Sequence, residues 1–367
     1  MCGVTQHICV NLACQGVSLL DWLSFSVRYH GPGFGLQYYK RVGVSGPLEP
    51  CGLQHLQVQG SWSSRIAVKS TGGRLYISGN PAKWLSGQNV VGSNDIRRLV
   101  DLMYYGVVER LDLPHCVQAE RDLRLGSAQL TRTDCTFSYE VGTDEEVASW
   151  LEAMGRACYV QYRGRGHYHS GMCSLAWGFG QQEGGKSKGS RRSNFKFYNK
   201  YREMRAPGHA PTCAPEFRDT LDGIALGTVR GEACFRALEL ERLGLSQVRQ
   251  WTDETAWKLH RSWVDKMDIT DMVELKTDAQ KALPRKLQGT YHIWKSGADC
   301  KAILSQKTFY RHRRELLDYG IDIAISCLPA SESVKVVPVI QVLKAVPIDE
   351  RAHEELFWRM ASMASAA

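Results

Sequence analysis

Residues 130–139 read Leu130-Thr131-Arg132-Thr133-Asp134-Cys135-Thr136-Phe137-Ser138-Tyr139. Successive side chains of a strand point to opposite faces. Arg132, Asp134, Thr136 and Ser138 therefore share one face, and Thr133, Cys135, Phe137 and Tyr139 share the other. One face is polar and the other can be buried, which predicts an antiparallel sheet with helices packed on one side. The next segment supports this. Thr143 and Glu146 form a capping box, and Val147, Trp150, Leu151 and Met154 make the apolar stripe of an amphipathic helix.

Downstream, strands are expected near 157–162 and 168–178, with a Gly-Arg turn at 163–166 between them. Residues 181–193 are polar, Gly/Ser-rich and basic, and read as a loop. A strand follows with Phe195 and Phe197 on one face and Lys196, Tyr198 and Lys200 on the other. The segment 205–215 holds three prolines and reads as a long loop. A further strand near 228–236 puts Arg230 and Glu232 on one face. Upstream, residues 1–60 alternate short apolar runs with Gly and Pro, 74–78 read as a strand, and 94–110 read as a helix.

The pattern becomes helical beyond about 245, at 252–266 and 304–323, and residues 350–367 are expected to be a fraying terminal helix. The expected fold is α+β. An antiparallel sheet with packed helices spans 1–245. A smaller helical, winged-helix-like domain follows over 246–345, and a tail helix over 346–367.

Composition narrows the class. The 367 residues are 43% hydrophobic and 23% charged, which excludes wholesale disorder. Lys and Arg outnumber Asp and Glu by 46 to 38, a balance compatible with a polyanionic partner. Twelve cysteines are scattered without a C-x-x-C pair, so reduced thiols in a cytosol are expected and a zinc site is disfavoured. No basic region precedes the first apolar stretch, and no run approaches the length of a membrane span, so neither a signal peptide nor a membrane association is expected.

The polar strand faces suggest a chemistry. Asp134 and Glu232 on adjacent strands can hold a hard divalent cation, Mg²⁺ or Mn²⁺, through oxygen ligands. Tyr198 beside such a metal could attack a phosphodiester, with Lys196 or Lys200 favouring the phenolate and meeting phosphate. Residues 185–205 carry eight Lys/Arg and one acidic residue, Glu203, which suits a groove tracking a nucleic-acid backbone. Arg132, Lys186, Lys188, Arg191, Arg192, Lys196 and Arg230 are the candidate DNA contacts there, and Lys307, Arg311, Arg313 and Arg314 are candidates in the basic helix. His167 and His169, at i and i+2 on a strand, share a face and are further candidates to touch the metal. A non-enzymatic DNA-binding regulator would use the same basic surfaces without needing the Asp134/Tyr198/Glu232 set.

Read in order, these segments resemble one family. Gly79-Asn80-Pro81-Ala82-Lys83 through Gly87-Gln88-Asn89-Val90-Val91-Gly92 is similar to the Pro-Ala-Lys…Gly-His-Asn-Val-Phe-Gly signature of filamentous-phage gene II replication proteins. Gln88 and Val91 stand where that signature has His and Phe. Residues 131–138 resemble its Arg-Ile-Asp-Ala-Thr-Phe-Ser. Ser190-Arg191 through Tyr198-Asn199-Lys200, then Glu203, resembles its Ser-Arg…Tyr-x-Lys motif. Val229-Arg230-Gly231-Glu232 and Gly244-Leu245 resemble Val-Arg-Phe-Glu…Gly-Leu, with Gly231 in place of a larger apolar residue. Residues 304–329 resemble the part also made separately as the gene X protein. Staphylococcal rolling-circle plasmid initiators share the Arg-x-Asp and Tyr-Asn-Lys-x-x-Glu elements.

The resemblance implies an origin-specific endonuclease of rolling-circle replication in the cytoplasm of a bacterial host, with its sheet of the relaxase- or RRM-like type. It would nick the viral strand of the double-stranded replicative form and later rejoin the displaced single strand. Tyr198 stands at the nucleophile's position, Lys200 beside it, and Asp134 and Glu232 at metal-binding positions. Tyr201 is a nearby second tyrosine. A host helicase and a single-stranded-DNA-binding protein are the implied partners. A relaxase or transposase of another mobile element would share this chemistry and differ in its DNA target.

Overall fold

The computed structural model describes residues 6–7, 18–41, 48–160, 163–169, 173–178, 189–269, 283–319, 321–324, 346–347 and 351–365. The strands before the first helices are β1 (Gln6–His7), β2 (Leu19–Arg28), β3 (Leu36–Arg41), β4 (Leu48–Gln54), β5 (Leu56–Gln59), β6 (Arg65–Thr71) and β7 (Arg74–Gly79). Helices α1 (Pro81–Ser86), α2 (Ile96–Arg110) and α3 (Val117–Arg124) lead to strand β8 (Gln129–Glu140) and helix α4 (Asp144–Ala157). Then come β9 (Cys158–Val160), β10 (Gly164–Arg165), β11 (His167–His169), β12 (Ser174–Trp177) and β13 (Ser193–Asn199). Helices α5 (Lys200–Arg205) and α6 (Arg218–Ala225) precede β14 (Thr228–Arg236), α7 (Ala237–Arg242), α8 (Thr255–Val264) and β15 (Met267–Ile269). The remainder is α9 (Arg285–Lys295), α10 (Cys300–Ile303), α11 (Gln306–Leu317), β16 (Val346–Pro347) and α12 (Arg351–Ser365).

The fold is α+β. Its main sheet is antiparallel, in the order β11-β12-β13-β14-β8-β2-β7-β6-β5, with β16 paired to the end of β8. Strand β8, with its alternating polar and apolar faces, lies near the middle of this sheet. Two glycines with positive φ, Gly72 and Gly73, make the tight turn between β6 and β7 that a two-residue hairpin loop requires.

The apolar rows of β8, β13 and β14 are buried beneath two helices. The capping box of α4 is formed, with Thr143 N donating to Glu146 Oε2 at 2.7 Å. Its stripe (Val147, Trp150, Leu151, Met154) is buried, and Trp150 meets Phe197 edge-on at 5.1 Å. From α8, Trp257 lies 4.5 Å from Phe137 and Trp263 stacks on Phe195. The fully buried aromatic side chains among these each contribute about 2–3 kcal/mol, and the partly buried Trp257 less. His260 of α8 is buried among these rings, and burial pushes its imidazole down to about 3, so it stays neutral. It hydrogen-bonds Tyr139 Oη at 3.0 Å.

The same ring cluster accounts for Gly231. It pairs with Phe137 on one side and Phe197 on the other. A Cβ there would lie 2.7 Å from His260 Cε1 and 3.0 Å from Phe197 Cε1. The position of a larger apolar residue is already filled by neighbouring rings.

Several expectations are corrected. The core does not close at residue 245. Ala256, Leu259, Trp263, Val264 and Met267 belong to the core under the main sheet. A second core starts at Leu283 and joins Leu287, Tyr291, Trp294, Phe309, Leu316, Ile321 and Ile323. The described residues of 283–324 are helical and turn structure, β16 pairs with β8, and any wing of the expected winged-helix-like domain lies outside the described residues. The terminal helix does not fray. Phe357 and Met360 of α12 are buried in the main core, and Arg98 stacks on Trp358 at 3.7 Å. The strand expected near 168–178 is a hairpin, β11 and β12. The Gly-Arg turn contains strand β10, which pairs with β9 in a small sheet together with β1 and β15. Among the described residues, no helix is long and apolar enough to cross a membrane.

Candidate nuclease site

Residues opposite one another in antiparallel pairs share a face, so the register lays out the polar side in rows. One row runs His167, Ala176, Lys196, Glu232, Thr136, Leu19 across β11, β12, β13, β14, β8 and β2. The next runs His169, Ser174, Tyr198, Arg230, Ser138. On the other side of the first row lie Asn194, Cys234, Asp134 and Trp22. Asp134, Glu232, Lys196 and Tyr198 are thus brought together on three adjacent strands.

Each carboxylate already has a cation. Arg132 forks onto Asp134 at 2.8 and 2.5 Å and lies over the Trp22 ring at 4.8 Å. Lys196 Nζ is 2.9 Å from Glu232 and 4.9 Å above the Tyr198 ring. Burial pushes the Glu232 carboxyl up; Lys196 opposes this, while Asp134 and Asp21 add to it. Burial also raises the Tyr198 phenol well above its ordinary value, and the charges of Glu232 and Asp21 add to that, so the hydroxyl keeps its proton at neutral pH.

Asp21 is the acidic residue that sequence reasoning missed. It occupies a β-bulge, where the register of β2 against β8 shifts between Leu20 and Trp22. Bulges re-aim side chains, and this one delivers a carboxylate to the polar face. The signal was a lone acid within the apolar run Leu19–Val27. Asp21 Oδ1 accepts hydrogen bonds from Asn80 at 2.8 Å and Asn89 at 3.0 Å.

Both asparagines belong to the segment 79–92. Asn80 caps α1, accepting from Lys83 N at 2.8 Å. The buried Gln88 amide knots the following loop, accepting from Val90 N and Val91 N and donating to Ser86 Oγ and the Val91 carbonyl. Glutamine serves here because its amide can donate and accept at once. The knot fixes Asn89, whose side chain bridges Asp21 and Lys200. The Asn89 and Val90 carbonyls accept from the buried Arg230 guanidinium. Arg230 is therefore a correction to its expected DNA contact: it faces inward and holds the loop.

Lys200 is also placed differently. Strand β13 ends at Asn199, which caps α5 by accepting from Arg202 N at 2.9 Å. Lys200 opens that helix and is fully buried, donating to Asn89 Oδ1 at 2.9 Å and Glu203 Oε2 at 2.7 Å. Its amine is thus engaged inside the fold and not presented on the polar face of the strands. Tyr201 lies on α5 under the Arg205 guanidinium at 3.5 Å. It is not a strand neighbour of Tyr198.

Desolvation falls on the fully buried lysine more than on its partly exposed partner. Burial brings Lys200 down to about 8. Glu203 falls to about 2, because Lys200 and His209 outweigh its own desolvation. The acid's contribution is complete above its ordinary range near 4.5 and is lost as pH falls through about 2. The lysine has the opposite sense. Below pH 8 the fold bears the full cost of a buried ammonium. That cost is relieved as pH rises through 8 towards 10.5, where the unfolded chain still holds the proton. Wild-type protein is expected to gain stability relative to Lys200→Met between pH 8 and 10, by at most about 1.4 kcal/mol per pH unit. Urea melts at both pH values check this, and parallel pH dependences for the two proteins would refute it.

The remaining candidates lie further out. His167 and His169 are exposed on the edge hairpin. They lie on the face of Tyr198 but two strands from it, a separation of about 10 Å by the usual strand spacing. Among the described residues no three His, Cys, Asp or Glu side chains are gathered to hold a metal. Arg191 and Arg192 are exposed at the start of β13, with Arg192 3.4 Å from Glu239. Lys186 and Lys188 lie outside the described residues. On α11, Lys307, Arg311 and Arg314 are exposed, whereas Arg313 is largely buried in a fork with Asp322, which corrects its expected DNA role. The described cysteines Cys116, Cys135, Cys158, Cys173, Cys213, Cys234 and Cys300 are buried.

The chain is similar to known replication-associated proteins over most of its length. Residues 33–254 match the family described as the N-terminal part of the gene II-type replication-associated protein, and residues 276–351 match the family of its C-terminal part. The replication-associated protein of this type from Enterobacteria phage I2-2 is 32% identical over 315 residues, covering 83% of this chain and 88% of that protein. No solved structure matches the chain. With both family segments present in order, and the first of them spanning Asp134, Tyr198 and Glu232, the chain belongs to the gene II-type replication initiators of filamentous phages and is a replication-associated protein of phage rolling-circle replication.

Proposed function

We propose that this protein starts rolling-circle replication by nicking one strand of its phage origin in a metal-dependent reaction, through a 5′-phosphotyrosine at Tyr198. The observation that carries the reading is the convergence of Tyr198, Lys196, Glu232 and Asp134 on one polar face, with Asp21 beside them. Tyr198 Oη bonds to the scissile phosphorus and the bond to the 3′ oxygen breaks. The phenolic proton is formally transferred to that oxygen, and the free 3′ hydroxyl primes synthesis. Joining is the reverse step: a 3′ hydroxyl of the displaced strand attacks the phosphotyrosine and restores the phenol. Lys196, half-exposed above the ring, meets the phosphate, and the exposed Arg191 and Arg192 meet the neighbouring backbone.

The donor set suits a hard cation. Mg²⁺ usually keeps several waters and is held by one or two carboxylates plus substrate phosphate. Asp134 and Glu232 would be those carboxylates, and the bound Mg²⁺ or Mn²⁺ would stabilise charge on the scissile phosphate. Arg132 and Lys196 hold the two carboxylates in place and balance their charge in the free protein. The relaxase-like reading of the sheet belongs to this proposal, as does action in the cytoplasm of the bacterial host on replicative-form duplex and displaced strand. Host helicase and single-stranded-DNA-binding protein would act on the strand that the nick releases.

The test is nicking of supercoiled DNA carrying the cognate origin across a Mg²⁺ titration. Asp134→Asn and Glu232→Gln are each expected to raise the half-saturating Mg²⁺ at least tenfold. Chelation should stop wild-type nicking. An unchanged titration in both variants would remove the two carboxylates from the metal site, and tight origin binding without a nick under either metal would leave a DNA-binding regulator.

A further inference from the structure

The second core presents a surface that the nicking chemistry does not use. Three helices, α9, α10 and α11, enclose Leu287, Tyr291, Trp294, Cys300, Phe309 and Leu316. The residues 283–324 hold eight Lys/Arg against four Asp/Glu. The cations on and against α11 divide into two sets. Lys286 and Arg313 are spent on carboxylates, at 2.6 Å to Glu315 and 2.6 Å to Asp322. Lys307, Arg311 and Arg314 are exposed on α11 and have no carboxylate partner among the described residues.

Spacing then matters. Lys307, Tyr310, Arg311 and Arg314 fall at i, i+3, i+4 and i+7, so they form one outer stripe. The stripe extends about 10 Å along the helix. Phe309, His312 and Leu316 fill the inner face, and Thr290 hydrogen-bonds His312 at 2.7 Å, which fixes the rotation of α11 on its support. Ser305 caps the helix start. The result is a rigid, capped helix with an outward row of three cations and a half-exposed tyrosine. Asp318 ends the row one turn later. A B-form major groove is about 12 Å wide and admits one such helix, with arginine forks suited to guanine edges and phosphates.

We propose that α11 is a duplex-DNA-reading helix, a second DNA site separate from the nicking face, with Lys307, Tyr310, Arg311 and Arg314 as its contacts. The inference does not rest on Tyr198 or on metal binding, since it concerns equilibrium binding alone. The experiment is fluorescence anisotropy of the full chain, in chelator, with a labelled mixed-sequence duplex of about 30 base pairs and with its single strand, across a salt series. The variant Lys307→Ala/Arg311→Ala/Arg314→Ala is expected to lose about 100-fold in duplex affinity near 0.1 M salt and to flatten the log–log salt slope by two to three units, at roughly 0.9 per lost phosphate contact. The single strand should lose far less. Lys307→Arg/Arg311→Lys/Arg314→Lys keeps the charges and should keep the slope. An unchanged slope in the alanine variant overturns the proposal. So does an equal loss on duplex and single strand, a matching loss in the charge-keeping variant, or a change confined to self-association.

Discussion

Tyr198→Phe is expected to abolish nicking of the cognate origin, by roughly 10⁴-fold or more, while leaving origin binding within a few-fold of wild type. The substitution removes one hydroxyl and keeps the ring beneath Lys196 and the strand pairing with Arg230. On the proposed mechanism this removes the nucleophile without loss of the fold. The measurement is the appearance of nicked circles together with a protein–DNA adduct that survives denaturation, both in Mg²⁺. Tyr201→Phe should form the adduct normally, because Tyr201 sits on α5 beneath Arg205. An adduct in the Tyr198 variant, or its absence in the Tyr201 variant, would reassign the nucleophile.

Arg230→Met is expected to cost about 3–5 kcal/mol of unfolding free energy, the largest stability effect of any single substitution at the site. The buried guanidinium donates to the Asn89 and Val90 carbonyls and, at 3.3 Å, to Ser138 Oγ. Removing it strands buried acceptors. The loss extends to chemistry, since the Asn89 side chain bridges Asp21 and Lys200. Nicking by the surviving folded fraction should therefore fall as well. Urea denaturation measures the first effect. A change below about 1 kcal/mol would show that the loop keeps its place without Arg230.

The parts of the site that were legible in the chain are those governed by local periodicity. Alternation in β8, β13 and β14 put Asp134, Glu232, Lys196 and Tyr198 on polar faces, and the structure pairs those strands side by side. The capping box at Thr143 and Glu146 and the stripe of α4 were legible for the same reason: hydrogen bonds three residues apart and a 3.6-residue repeat are properties of the local chain. Lys200 marks where periodicity failed. Asn199 ends the strand by capping α5, so an alternation drawn through residue 200 counts one residue too far.

Other features depend on partners far away in sequence. Asp21 reaches the site only because β2 pairs with β8 across more than a hundred residues and bulges there. Arg230 looked like a DNA contact from its strand face, and only the loop of Gln88 and Asn89 folded over it reveals an inward role. Gly231 had no account until His260 was placed against it. The terminal helix looked free to fray, yet it buries Phe357 and Met360 in the main core. The order of residues was enough to indicate the antiparallel class and the polar strand faces that carry Asp134, Glu232, Lys196 and Tyr198, because these follow from side-chain alternation and residue type. Which cations were consumed in holding the fold, and which were left exposed, was settled only on folding, because burial and ion pairing are set by residues that sequence keeps apart and packing brings together.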